Sequence, residues 1–165
     1  MDSLLPLITD TLNATALSRL VMNNAYVFPA LEMAHFLGLC LLFGSLLIVD
    51  LRVIGLAPDV PMQRVGLFVR FALIGFAINL TSGLLFVVGD SDRYLVNIAF
   101  WAKMGTIMIA GLNTAYFVWR IKPQMDAGVA TRYLTPDARV VAWLSLILWT
   151  SVITLGRFMP YVEGM

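Results

Sequence analysis

Cysteine and histidine each occur once in this chain, as Cys40 and His35, and only 13% of the residues are charged. A lone cysteine makes no intramolecular disulfide and no thiolate cluster; inside an apolar run, Cys40 is expected to be a small buried apolar residue. A lone histidine excludes haem held by two histidines of one chain. It also leaves no base for a soluble-type hydrolase, whose candidate serines, Ser45, Ser82, Ser145 and Ser151, fall in apolar segments. Eleven Lys and Arg against ten Asp and Glu give a net charge of +1, so no basic field for nucleic acid exists. A secretory signal is missing too: Asp2 stands where a positive region belongs, and Pro6 and Asp10 interrupt the following apolar stretch, so the mature chain is expected to begin near Met1.

What the chain has instead is apolar length. It is 60% hydrophobic with a mean hydropathy of +0.86, where a soluble domain is about 45–50% apolar and about 25% charged. Four segments are long enough to cross about 30 Å of hydrocarbon at about 1.5 Å per residue: Pro29–Ile54, Val65–Val88, Ile98–Val118 and Arg139–Phe158. Gly55, Pro58 and Pro61 close the first, "GDSD" the second and "WRIKP" the third, while Thr135-Pro136-Asp137 opens the fourth. Trp101, Trp119, Trp143, Tyr94 and Tyr161 fall near span ends, where amphipathic rings collect. Before the spans, Leu12, Ala16, Leu17, Leu20 and Val21 recur at helical spacing opposite Asn13, Ser18 and Arg19. The expected fold is therefore all-α: a polytopic membrane protein with a four-helix transmembrane domain at residues 29–165, preceded by an amphipathic interfacial segment at 1–28.

Basic residues set the expected orientation. Arg52, Arg64 and Arg70 mark the first connection, and Arg120, Lys122, Arg132 and Arg139 the third; the other side has Arg19, Arg93, Lys103 and Arg157. The first and third connections are expected in the cytoplasm and both termini outside, in the periplasm of a bacterium.

This topology sorts the polar residues within the spans into two layers. Asp50, Arg52, Arg70, Asn79 and Asn113 read as structural: Asp50 with Arg70 or Arg52 neutralises charge near a span end, and Asn79, beside Gly75, Ser82 and Gly83, reads as an interhelical hydrogen-bonding group. Glu32, His35, Lys103, Arg157 and Tyr161 gather at the opposite, outward end. Glu32 and His35, three apart, share a helical face, but one His and no second such pair supply neither a dinuclear carboxylate centre nor a catalytic zinc. Haem b needs less, one imidazole as axial ligand with cations for its propionates, and His35 with Lys103 and Arg157 offers those parts. The second ligand would then be Met33, Met104, Met108, His35 of another copy, or none. Quinone is the second candidate cofactor, and mutual satisfaction of these polar groups across helices is the alternative that needs none.

The stretches "FPALEMAHFLGLCLLFGSLLIVDLRVIG", "RFALIGFAINLTSGLLF", "YLVNIAFWAKM" and "SLILWTSVITLGRFMPY" together resemble a family of small bacterial four-helix inner-membrane proteins of uncharacterised function. Its pattern runs FP-x-x-E-x-x-H-x-x-G, then D-L-R, an Asn-Thr-Gly stretch, and G-R. The resemblance spans Phe28 to Tyr161 and its charged positions are Glu32, His35, Asp50, Arg52, Lys103 and Arg157. It implies the membrane fold and carries no activity. Three functions stay open: a cofactor-binding membrane redox subunit with an outward-facing polar site, a non-catalytic assembly subunit of a membrane complex, and a small oligomeric transporter. No catalytic residue stands out; the expected partners are the lipid bilayer and either a membrane complex or further copies of the chain.

Overall fold

The computed structural model describes residues 4–126 and 136–162, and among these every regular element is helical. Two short helices, α1 (Leu4–Asn13) and α2 (Ala16–Asn23), lead into α3 (Val27–Ile54) and α4 (Met62–Gly89). A single turn of helix, α5 (Ser91–Leu95), precedes α6 (Ile98–Tyr116), which continues through a π-helical turn at Phe117–Ile121 into α7 (Lys122–Asp126). Helix α8 (Pro136–Phe158) ends in a 3-10 turn at Met159–Tyr161. Thr135 lies outside the described residues, so the expected start signal is seen only from Pro136 onward.

Local chemistry sets the boundaries. Gly55 ends α3 with φ 97°, its N–H donating to the carbonyls of Leu51 and Arg52, a left-handed cap that glycine adopts without a Cβ penalty. Extended Pro61 precedes α4, and the Asn97 side chain caps α6 by accepting from Ala99 N–H. The third connection starts later than "WRIKP" suggests. Pro123 would collide with the carbonyl four residues back in an unbroken α-helix; the π turn just before it, with Lys122 N–H reaching Phe117 C=O, widens that register and lets the helix run on.

Three helices, Val27–Ile54, Met62–Gly89 and Pro136–Tyr161, are long and apolar enough to cross a membrane, where four were expected. Helix α6 falls short because its 19 residues include Lys103 and Asn113 as well as two glycines and two threonines. The N-terminal segment is two helices rather than one, split where Thr15 accepts from Ser18 N–H. Val21 is buried while Leu17 and Leu20 are exposed, so the apolar residues do not share one covered face. These helices are tied to the α4–α5 corner: Ser18 donates to Gly89 C=O at 3.1 Å, Asn13 Nδ2 to Asp92 at 2.7 Å and Ser91 to Asn13 Oδ1 at 2.8 Å.

Helix α4 packs along α3, α3 along α8, and α8 along α6, while among the described residues α4 and α6 have few direct contacts. The long helices thus form an open arc with a slot between its two outer members. The slot is closed at one end, where Phe117, Ile121 and Met125 meet Val65 and Val69 of α4. The tightest seam is α3–α4. A Cβ on Gly75 would stand 2.5 Å from Leu42 N and 2.6 Å from Gly38 O, so these backbones approach as only small residues permit. Asn79 packs on Gly38 but donates to Gly75 C=O of its own helix, which corrects the interhelical role expected of it. Cys40 is exposed, not buried.

Candidate functional site

At the end of the arc where α3 begins and α4 and α8 end, a cavity of about 350 Å³ opens. Helix α3 contributes Glu32 and His35, one turn apart; Phe86 comes from α4, Arg93 and Tyr94 from α5, and Met159 from the end of α8. The wall is aromatic: Phe86 lies 5.6 Å from Phe28, 5.5 Å from the His35 ring and 6.5 Å from Tyr94, stacked on the last.

The His35 ring is held from behind. Its Nδ1 lies 2.8 Å from Ser82 Oγ, and the Ser82 hydroxyl points back to Ile78 C=O at 2.7 Å, the usual habit of a mid-helix serine. If the hydroxyl proton is directed at that carbonyl, Nδ1 is the donor of the pair and Nε2 carries the lone pair. This is the arrangement by which proteins fix an imidazole for a ligand: one nitrogen anchored, the other left to accept. Lys103 of α6 acts on the ring electrostatically, and its ammonium lies over Gly156, 3.3 Å from where a Cβ would stand.

The structure therefore sets Glu32 and His35 on one cavity with Lys103 beside its Gly156 wall, but leaves out two residues expected with them. Arg157 and Tyr161 are exposed, do not line the cavity, and engage each other, the guanidinium 5.8 Å from the ring centroid. Nor do the methionines fall as expected: Met33 and Met108 are exposed and Met104 packs in an apolar cluster, whereas Met159 lines the cavity. Arg93, read only as a marker of orientation, and Asn97 did not read as cavity residues because they follow a turn signal, nor did Ser82, because a small residue in a glycine stripe reads as packing. Among the described residues no group of three or more His, Cys, Asp or Glu is placed to hold a metal ion.

The second expected layer does not assemble either. Arg70 is exposed and Arg52 Nε donates to Val60 C=O at 2.6 Å. Asp50 is buried with Ser145 as its hydrogen-bonding neighbour, not an arginine. Asn113 is buried and ties α6 to α8 by donating to Val141 C=O at 3.0 Å.

An all-helical chain with three membrane-compatible helices and one polar, aromatic-walled end cavity defines the class. The chain belongs to the family of unknown function DUF6644, whose model matches residues 20–162. No curated protein and no solved structure matches it.

Proposed function

We propose that this is an integral protein of the bacterial inner membrane whose end cavity binds the single-ring head of a quinone or quinol. The observation that carries the reading is the anchored His35: a quinol hydroxyl donates to Nε2, with the Lys103 ammonium close by at Gly156. Aromatic walls suit a flat ring, and a cavity of about 350 Å³ lies at the small end of the roughly 300–1,000 Å³ range of ligand pockets. That size favours one ring over the four pyrroles of haem b, which moves from first candidate to second, with His35 axial and Met159 beside it. No catalytic group is assigned, and the chain acts as a carrier-binding subunit within a membrane complex or as a homo-oligomer.

The full-length chain in lipid nanodiscs, titrated with decylubiquinol kept reduced, is expected to show saturable binding that is lost in His35→Ala. Absence of saturable binding to the parent, or binding unchanged by His35→Ala, overturns the reading, and a Soret band in the native protein replaces it with haem.

The same proposal places the cavity on the periplasmic face, with α6 crossing beside the three more apolar helices and the Arg-bearing Gly55–Arg64 connection in the cytoplasm. In a Cys40→Ser background, an impermeant thiol reagent applied outside is expected to label Asp92→Cys and not Asp126→Cys. Labelling of both shows that α6 does not cross.

A further inference from the structure

A second cavity, of about 320 Å³, occupies the slot between α4 and α6, floored by α3 and α8, and its lining includes both Asp50 and Trp149. Asp50 is 4% exposed and Trp149 5%. Asp50 Oδ2 and Trp149 Nε1 are buried polar atoms without a hydrogen-bond partner. An ionised carboxylate oxygen only accepts, and an indole N–H only donates. Unpaired, both are destabilising, and so buried polar atoms of this kind call for an explanation such as an absent ligand. The π-helical turn supplies Phe117, Val118 and Trp119 to the same lining, and such turns recur at functional sites.

We propose that this cavity is a binding site for a membrane-soluble compound bearing a phenolic or alcoholic hydroxyl, which donates its proton to Asp50 Oδ2 and accepts from Trp149 Nε1. One hydroxyl supplies the donor and the acceptor that the two orphaned atoms lack. The remaining walls, among them Leu46, Ala72, Leu73 and Phe76, are apolar and take a ring or chain. The way in is lateral: Leu73 and Trp119 line the cavity and are 54% and 77% exposed, one on each side of the slot. This route rests on the membrane reading above, which the thiol-labelling experiment tests separately. The cavity is the size of one ring, too small for a helix of a second copy.

The probe is 2-bromo-4-decylphenol, whose bromine quenches a tryptophan that it touches, set against its methyl ether, which accepts but does not donate. In nanodiscs, with Trp101, Trp119 and Trp143 replaced by Phe, the phenol is expected to quench Trp149 at least tenfold more tightly than the ether. Asp50→Asn is expected to abolish that preference. A chain retaining only Trp101, at the other end of α6, reports simple partition and is expected to treat the two probes alike. Equal quenching of Trp149 by phenol and ether overturns the proposal, as does a preference that survives Asp50→Asn. No quenching beyond the Trp101 level also overturns it and assigns the two polar atoms to water or to a second copy of the chain. Should the substituted chains fail to assemble, the phenol–ether difference measured on the unaltered protein decides the question.

Discussion

His35 and Asp50, the polar groups of the two cavities, lie about 22 Å apart along α3 at about 1.5 Å per residue, and the two cavities are built in opposite ways. The end cavity is assembled from loop, short helix and helix termini, and its central imidazole is already hydrogen-bonded on one side. The slot cavity is assembled almost wholly from the bodies of long helices, and its two polar atoms have nothing to bond. One site is polar and satisfied on its protein side; the other is apolar and unsatisfied. The contrast teaches that stability and binding are separable in the slot and intertwined at the end.

The largest expected effect removes both cavities together. Gly75→Val places side-chain atoms into the α3 backbone, and overpacking of this kind costs about 1–3 kcal/mol or more. The expected outcome is a lower melting temperature in detergent with loss of binding at both sites; if one site survives intact, the shared α3–α4 seam does not hold them both. Next is Ser82→Ala, which releases Nδ1 of His35. Losing a group that orients a ligating imidazole typically weakens binding about 10–100-fold, and the quinol titration reads it directly, with phenol binding in the slot unchanged.

Asp50→Leu sharpens the comparison in the opposite direction. Replacing a buried, incompletely paired carboxylate by an apolar side chain removes a penalty of about 1–3 kcal/mol, so the variant is expected to melt higher than the parent while losing the phenol preference. A lower melting temperature would show that the Asp50–Ser145 bond is a net stabiliser. The smallest effect belongs to Gly83→Ala. Its new methyl would meet only His35 Cε1, at 3.8 Å, an ordinary contact, so quinol affinity is expected to match the parent and the melting temperature to match or slightly exceed it.

Apolar runs and their glycine and proline punctuation made the long helices legible, because burial and backbone sterics act through local composition. Glu32 and His35 were legible as a pair because a spacing of three fixes a common helical face. What escaped was whatever depends on which helix sits beside which. Arg157 shares a depth with His35 but points to Tyr161, and depth along a helix says nothing of azimuth. Asp50 reads as half of an ion pair until Ser145, 95 positions away in the chain, is seen beside it. Lys103 and Asn113 made α6 ambiguous, since one residue's polarity lowers hydropathy whether it faces lipid, cavity or a neighbouring helix.

The π turn at Phe117–Ile121 has a consequence of phase. A helix advances about 100° with each residue, so one extra residue in a turn rotates everything beyond it by that angle relative to a regular helix. Ile121 and Met125 share a cluster with Val65 and Val69 of α4 in this offset register. Deleting Val118, itself part of the slot lining, would restore the regular register, swing those two side chains around the axis and unlatch the closed end of the slot. The local winding of one turn thus acts as the clasp of the arc.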